Sequence, residues 1–484
     1  MRKATISMLK AAALALGVLA AAPAAAQPSV GRPCHVPGVT DLATCHRITV
    51  PEDRSAPAGR TIELHVAVLP ARGSAKPPDS ALFLLAGGPG QAANDMGPLV
   101  GTALAKVRDS RAIVLMDQRG TGRSNPLACS LPGDDAITLD LNTESMAKAL
   151  TACRAGWNAD LRRYSTLDVV EDIEAVRQAL GYAKLDLWGG SWGTRTALLY
   201  MRAYPGSVRS AVLDGVSPPN DLLLTGEPAH SQAALDALFE ACAADAACAG
   251  TYPDLGARFQ EWLEELGEGS TVTMADGLNG KVETVTLSRD GAAQSVRAVL
   301  YSTITAAKLP YALDRLIGKG DATSIVPLAF GAGSVVRDTM FLGSTLSSLC
   351  REEVPRTEGV PLAAGFTGES WLASWRTMCR DFPADPLPDG YAEPVTTDVP
   401  VLLLSGALDP VTPPASADKA AAHLPRAWHL VAPATGHIVT GGAPCAGDLI
   451  AEFVEAADGS RLDAACLGER GRPPFMTTPQ GPTP

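Results

Sequence analysis

The sequence predicts an α/β fold: a mainly parallel, doubly wound sheet with an inserted, mostly helical cap. Apolar runs of strand length follow one another with helical sequence between them, and they begin near Leu82, Ile113, Leu185 and Val212. Such alternation favours a parallel sheet covered by helices on both faces. The strand pattern then lapses between residues 214 and 400, which marks the inserted cap.

The remaining elements are predicted from their periodicity. Residues 45–51 and 61–70 are expected to form opening strands, because the second of them alternates apolar and polar side chains. In the cap, 227–266 and 293–351 are expected to be largely helical, with an interruption near 277–280. The predicted divisions are a signal peptide (1–26), a core in two parts (27–216 and 396–470), the cap (217–395) and a disordered tail (471–484).

The N-terminus has the pattern of a secretory signal. Basic residues precede an apolar stretch over 11–22, and Ala24–Ala26 offer small residues for cleavage before Gln27. Removing 1–26 takes away three basic residues and no acidic one, so the net charge changes from −12 to −15. An acidic exported protein is a poor binder of nucleic acid or anionic membranes. We expect a soluble periplasmic or secreted protein, assumed to be a monomer.

All ten cysteines follow the predicted cleavage site. An even number of cysteines in an exported chain predicts disulfides, although sequence alone does not determine the connectivity. Proximity along the chain favours the pairs Cys34–Cys45, Cys129–Cys153, Cys242–Cys248, Cys350–Cys379 and Cys445–Cys466. A zinc site at Cys34–His35 and Cys45–His46 is the alternative, but this spacing matches none of the usual ligand patterns. We expect no metal and no cofactor.

A candidate nucleophile follows the strand 183–188. Residues Gly189–Gly193 read Gly-Gly-Ser-Trp-Gly, and a helix-forming segment begins directly afterwards. Gly-x-Ser-x-Gly between a strand and a helix is the pattern of a nucleophile elbow, in which a sharp turn exposes the serine hydroxyl. The sequence therefore predicts Ser191 as the catalytic nucleophile.

A base and an acid follow in the order that completes a Ser–Asp–His triad. Asp409 comes after the apolar strand 399–406, and His437 comes after the apolar run 428–431. Both therefore lie beyond the carboxyl ends of strands, where open α/β sheets bind their ligands. Asp214, at the end of an earlier strand, is the rival for the acid, and we favour Asp409.

The oxyanion hole is predicted from main-chain groups. Gly87–Gly90 (Gly-Gly-Pro-Gly) follows the strand 82–86, so its N–H groups can approach a ligand closely. We assign Gly88, together with the residue after the nucleophile, Trp192. A plain tight turn is the alternative reading of this glycine-rich run.

Four segments together resemble the prolyl aminopeptidase branch of the α/β-hydrolases, and more closely the secreted tripeptidyl aminopeptidase-like (TAP-like) proteins. They are Gly87–Gly90, Asp117–Ser124, Gly189–Gly193 and Gly406–Pro413, and they bracket most of the chain. The resemblance implies the α/β-hydrolase fold and serine peptidase activity. One departure is Ala86, where prolyl aminopeptidases often have His. This departure casts doubt on a side-chain role at that position but leaves the main-chain oxyanion hole unaffected.

An aminopeptidase must also bind the free amine of its substrate. Glu352 and Glu353, which follow Cys350 late in the cap, are the candidates, because the family uses a similar acidic position near the amine. A solvated, charged helix end is the alternative. Three functions compete: a serine aminopeptidase, an esterase or amide hydrolase of small molecules, and a binding protein that only retains the fold. The complete set of Ser191, Asp409 and His437 argues against the third.

Overall fold

The structure is a computed structural model that describes residues 30–73, 79–129, 143–267, 269–275, 281–329 and 340–482. The predicted signal peptide lies outside the described residues. None of the helices in these ranges combines the length and the apolar character needed to cross a lipid bilayer.

Nine of the strands in the described residues form one sheet, with the order β1-β2-β3-β5-β4-β6-β7-β10-β11. The first pairings, up to β3 with β5, are antiparallel, and the pairings from β5 through β4 to β11 are parallel. The strands are β1 (Arg32–Cys34), β2 (Ala43–Pro51), β3 (Thr61–Leu69), β4 (Ser80–Leu85), β5 (Ala112–Met116), β6 (Lys184–Gly190), β7 (Val208–Asp214), β10 (Val401–Gly406) and β11 (Ala427–Ala432).

The central strands β4, β5 and β10 are mostly apolar because both faces of the sheet are covered. Every residue of β4, β5 and β10 is buried. Helices of the core lie at α1 (Gly97–Gly101), α2 (Thr143–Gly156), α3 (Thr166–Leu180), α4 (Trp192–Ala203), α13 (Pro414–Ala421), α14 (Val439–Gly442) and α15 (Ala446–Ala456). Two apolar clusters, one on each face, hold α3 and α4 on one side and α15 on the other.

The cap has an apolar cluster of its own, centred on side chains such as Phe259 and Leu313. Its helices are α5 (Leu223–Ala244), α6 (Ala246–Thr251), α7 (Leu255–Glu265), α8 (Arg289–Leu300), α9 (Thr303–Ala306), α10 (Leu309–Lys319), α11 (Leu342–Glu352) and α12 (Ser370–Cys379). The predicted interruption at 277–280 lies outside the described residues, and an antiparallel hairpin of β8 (Ser270–Ala275) and β9 (Val282–Leu287) flanks it. Alternating Thr and Val in both strands accounts for this difference.

The C-terminal segment differs from the predicted disordered tail. Phe475 is buried among the apolar side chains of the cap, and the Met476 N–H donates to the Ala307 carbonyl at 3.0 Å. The phenol of Tyr252 donates to the Met476 carbonyl at 3.0 Å. One apolar anchor and main-chain hydrogen bonds thus order residues 471–482, although their composition resembles that of a flexible tail.

All five disulfides predicted from chain proximity are present. Cys350–Cys379 joins the end of α11 to the end of α12, and Cys445–Cys466 closes the segment around α15. Because each bridge closes a loop of fewer than 30 residues, each one restrains its neighbourhood rather than joining the core to the cap.

Candidate active site

Ser191 occupies the sharp turn between β6 and α4. Its backbone angles are φ 54° and ψ −122°, a conformation that is strained for a residue with a side chain. A Cβ placed on Gly193 would lie 2.1 Å from the carbonyl oxygen of Leu85, so only glycine allows α4 to approach β4 this closely. The local structure is therefore the strand–turn–helix that the Gly-x-Ser-x-Gly pattern predicts.

The glycine-rich loop after β4 lies against this turn. A Cβ placed on Gly87 would be 2.8 Å from the carbonyl oxygen of Gly190 and 3.0 Å from Cβ of Ser191. Trp192 is the first residue of α4, and N–H groups at the start of a helix lack intrahelical acceptors. The two segments proposed for the oxyanion hole, around Gly88 and Trp192, thus meet beside Ser191.

His437 and Asp409 are hydrogen-bonded to each other. Nδ1 of His437 lies 2.8 Å from Oδ2 of Asp409, and the Thr412 hydroxyl donates to the same oxygen at 2.9 Å. The main-chain N–H groups of Val411 and Thr412 donate to the other oxygen, Oδ1. A carboxylate bound in this way accepts the proton on Nδ1, which leaves Nε2 of His437 free to act as a base.

The electrostatics of this pair favour charge on both groups. Burial disfavours the Asp409 carboxylate, but the His437 imidazole and the surrounding hydrogen bonds outweigh burial and lower the pKa of Asp409. Burial likewise disfavours the imidazolium, but the Asp409 carboxylate dominates and raises the pKa of His437 above its ordinary value. The pair is therefore suited to stabilise an imidazolium during proton transfer.

Asp214, the rival acid, has a different set of partners. Its carboxylate accepts hydrogen bonds from the main-chain N–H groups of Val439 and Thr440, at 2.8 and 2.7 Å, and from the Thr440 hydroxyl. Burial raises the pKa of Asp214, and these hydrogen bonds only partly oppose that effect. Asp214 thus holds the segment that follows His437 and does not contact the imidazole Nδ1.

The three predicted triad residues come together at the carboxyl edge of the sheet. The Ser191 N–H donates to the Asp214 carbonyl at 2.8 Å. A Cβ placed on the next residue, Gly215, would lie 3.2 Å from Cε1 of His437. Ser191 and His437 therefore flank the same two residues, 214 and 215, and Asp409 lies behind the imidazole.

Glu352 and Glu353 are fully buried next to α4, the nucleophile helix that begins directly after Ser191. Glu353 forms an ion pair with Arg195 of α4, and its second oxygen accepts from the Leu224 N–H at 3.4 Å. Glu352 accepts from the Thr166 N–H at 2.7 Å and from the phenol of Tyr391. Their predicted role as ligands of a substrate amine stays a prediction. The contacts present are those of groups that join the cap to the core.

Glu227, Arg297 and Tyr301, which no sequence pattern singled out, come together in the cap beside the loops that carry Asp409 and His437. Arg297 Nε pairs with Oε1 of Glu227, and Arg297 Nη2 donates to the Tyr301 phenol at 3.0 Å. Oε2 of Glu227 is buried and has no hydrogen-bond partner among the described residues. The only sequence signal is the i,i+4 spacing of Arg297 and Tyr301, which many helices share.

Two residues of α5 connect the cluster of Glu227, Arg297 and Tyr301 to the loop that carries Asp409. Oγ of Ser231 lies 2.7 Å from Oε1 of Glu227 and 3.1 Å from the carbonyl oxygen of Pro410. The His230 ring lies 2.9 Å from the Val411 carbonyl oxygen. Within the described ranges, no group of three or more His, Cys, Asp or Glu side chains is arranged to hold a metal ion.

Comparisons with known proteins agree with this architecture. Residues 80–241 match the family described as alpha/beta hydrolase fold, and residues 364–466 match the family described as TAP-like protein. The second match contains Asp409 and His437, and the first contains Ser191 and the Gly87–Gly90 loop.

Several curated relatives carry peptidase names. The chain is 30% identical over 250 residues to serine protease Hip1 of Mycobacterium tuberculosis. The aligned segment covers 47% of this chain and 46% of that protein. It is 32% identical over 145 residues to a proline iminopeptidase of Xylella fastidiosa, which is 29% of this chain and 33% of that protein. The chain spans between about a quarter and a half of the length of the curated relatives that it matches.

Among solved structures, the proline iminopeptidase of Mycobacterium smegmatis is similar at 17% identity and a TM-score of 0.38, over 85% of this chain and 100% of that chain. This likeness is too distant to support an argument about function. The family matches and the nine-stranded sheet agree on one conclusion. The chain has the α/β-hydrolase fold, and its residues 364–466 are TAP-like.

Proposed function

We propose that the protein is an exported serine peptidase of the aminopeptidase type. It releases short N-terminal units from peptides (a single residue, a proline-type residue or a tripeptide) through an acyl-enzyme on Ser191. The observation that carries this proposal is the 2.8 Å contact between His437 and Asp409 beside the strained turn of Ser191. The peptidase names of the curated relatives support the choice of substrate class.

In the proposed reaction, Ser191 Oγ attacks the scissile carbonyl while Nε2 of His437 takes the hydroxyl proton. Asp409 holds Nδ1 and stabilises the imidazolium, and the N–H groups of Gly88 and Trp192 bind the developing oxyanion. The imidazolium then gives its proton to the leaving amine, which departs with the rest of the peptide. Water, activated by the same base, hydrolyses the acyl-enzyme and releases the N-terminal unit.

Recognition of the substrate amine needs an acceptor within reach of the triad. We propose Glu227, because its Oε2 is buried with no hydrogen-bond partner among the residues that the structure describes, and its helix contacts the loop of Asp409 at Pro410. An ammonium bound there would supply the hydrogen bond that this oxygen lacks. Glu352 and Glu353 stay the sequence-based candidates, but their oxygens already accept hydrogen bonds from protein groups, so the contacts favour Glu227.

Export is part of the same proposal. It is supported by the signal pattern over residues 1–26 and by the five disulfides, since such bonds persist in oxidising compartments. Periplasmic and secreted destinations are both compatible with this pattern.

The test uses a serine-directed phosphonate and chromogenic peptide amides. Wild-type protein should be labelled at Ser191 and should hydrolyse aminoacyl or tripeptidyl amides with a free N-terminus in preference to N-acetylated ones. Ser191→Ala should lose labelling and turnover but keep the fold, and Ser460→Ala, a change at an exposed serine, should behave as wild type. Labelling at another residue would contradict the triad. Equal rates on free and blocked amides would instead favour an esterase or amide hydrolase acting on small molecules.

A further inference from the structure

The loop that carries His437 meets the C-terminal end of the cap helix α8. The His437 N–H donates to the Tyr301 carbonyl at 2.9 Å. A Cβ placed on the preceding residue, Gly436, would lie 2.5 Å from the same carbonyl oxygen, so glycine is required for this close approach. The main chain at the base is thus bound directly to the cap.

The Tyr301 side chain also contacts the imidazole. The two rings are arranged edge to face, with centroids 5.3 Å apart and an interplanar angle of 77°. The Tyr301 ring is itself restrained, because its phenol oxygen accepts from Arg297. Arg297 is held in turn by its ion pair with Glu227 and by the Trp371 ring, whose centroid lies 4.5 Å from the guanidinium carbon.

The core holds the other end of the same loop. Ile438, directly after His437, has a φ of 73°, which is strained for a β-branched residue. The Asp214 carboxylate binds the next two N–H groups, those of Val439 and Thr440. Strained conformations persist only where the surroundings over-determine them. The base loop is therefore held between Asp214 of the core and Tyr301 of the cap.

We propose that Tyr301 is a positioning residue for His437, through which the folded cap holds the base in its working geometry. The inference rests on the proposed triad. It makes the cap a support for the base, because the Tyr301 carbonyl binds the main chain of His437 and the Tyr301 ring, restrained through its phenol by Arg297, contacts the imidazole.

The pKa of the His437 imidazole is influenced by four side chains packed around it: Tyr301, Asp409, Asp214 and Arg297. Burial, to which the Tyr301 ring contributes, lowers the pKa of His437. The carboxylates of Asp409 and Asp214 raise it, and the Arg297 guanidinium lowers it. Removing the Tyr301 ring should admit water to the imidazole, weaken the effect of burial and raise the pKa. Since the base must be neutral to accept a proton, the acid limb of kcat/KM should then move to higher pH.

The experiment compares Tyr301→Leu and Tyr301→Phe on a small neutral ester, which needs only the triad and the oxyanion hole. A misplaced catalytic group costs about a hundredfold in rate, so Tyr301→Leu should lower kcat by roughly that factor, leave KM nearly unchanged and shift the acid limb upward. Tyr301→Phe keeps the ring and loses only the bond to Arg297, so a several-fold loss of kcat is expected. All rates are normalised to the concentration of phosphonate-reactive sites.

Tyr311→Leu is the matched control. Tyr311 and Arg315 lie four residues apart on α10, and the guanidinium carbon of Arg315 is 5.8 Å from the Tyr311 ring centroid. The spacing is the same as that of Arg297 and Tyr301, but among the described residues Tyr311 has no contact with the loop that carries His437. This variant should keep the wild-type kcat and pH profile.

The outcomes separate the inference from the proposed function. Full ester hydrolysis by Ser191→Ala or His437→Ala would overturn the triad itself. If those two variants are inactive while Tyr301→Leu retains wild-type kcat and acid limb, the triad stands and the positioning role is wrong. If Tyr301→Leu does not fold, Tyr301→Phe decides alone, and wild-type kcat in that variant would overturn the inference.

Discussion

The buried carboxylates of the core differ from Glu227 of the cap in how fully they are hydrogen-bonded. In the core, both oxygens of Asp409 and of Asp214 accept hydrogen bonds from protein groups. Glu353, a cap residue directly after α11, is bound in the same way, because it pairs with Arg195 of α4 and accepts from the Leu224 N–H. In the cap, Glu227 is equally buried and is also paired with an arginine, but one of its oxygens has no partner within the described part of the chain.

This difference distinguishes carboxylates whose hydrogen bonds are all made within the protein from a carboxylate that still has an oxygen available for a ligand. An unpaired buried oxygen costs about 1–3 kcal/mol, so it persists where something other than stability maintains it. The core contacts need no substrate to be complete, whereas the contacts of Glu227 would be completed by a cationic ligand.

Asp409→Asn should produce the largest change. An amide in place of the carboxylate cannot hold the required tautomer of His437, and comparable changes in serine proteases lower kcat about 10⁴-fold. The measurement is kcat on a chromogenic amide. Asp214→Asn is the matched core change and should cost far less, because Asp214 binds main-chain N–H groups and not Nδ1 of His437. The opposite ranking would identify Asp214 as the acid.

Glu353→Gln should chiefly change stability. The variant leaves the buried Arg195 charge without its counter-ion, and breaking such a pair costs about 3–5 kcal/mol in the free energy of unfolding. Urea unfolding measures the loss. Glu63→Gln breaks an exposed pair with Arg47 and should cost less than about 1 kcal/mol. A stable Glu353→Gln variant with reduced selection for free-amine peptides would support the sequence-based prediction instead.

Glu227→Gln should change selectivity. The amide oxygen can still accept from Arg297 while the amide nitrogen replaces the unpartnered oxygen, so the fold should survive. Loss of an ammonium–carboxylate contact, worth about 1.5–3 kcal/mol, should lower the rate ratio of free-amine peptide to small ester by roughly ten- to a hundredfold. Asp321→Asn, at a second cap carboxylate paired with an arginine, is the control and should keep the ratio. An unchanged ratio in Glu227→Gln would remove this residue from the amine site.

The pH dependence should show the smallest effect. Because Asp409 raises the pKa of His437 above its ordinary value, the acid limb of kcat/KM should lie at higher pH than for a free imidazole, and activity should fall as the pH drops through it. In Asp409→Asn the residual activity should have its acid limb at lower pH, since the carboxylate no longer stabilises the imidazolium. An unchanged limb in that variant would mean that another group titrates there.

Local patterns predicted much of this site because each depends on a few neighbouring residues. The turn at Ser191 follows from one strand, one serine and two glycines, and the disulfides join cysteines that are close along the chain. The hairpin β8–β9 and the ordered segment around Phe475 were missed for a related reason. The alternating Thr and Val of the hairpin form only a short strand signal inside a helical region, and the tail is ordered by the packing of Phe475 against the cap.

The sequence by itself therefore determined the fold class, the nucleophile turn and the triad candidates, since strand–loop patterns and close glycine spacing carry that information. Only the tertiary structure decided which carboxylates are already bound by other groups of the protein. Glu352 and Glu353 looked free in the sequence, yet they are bound by Arg195, Tyr391 and main-chain groups from distant segments. Glu227 lies near the Asp409 loop, and Tyr301 contacts His437, only because the cap packs against the core. Contacts between residues so far apart in the chain depend on the packing of whole elements, which no local pattern records.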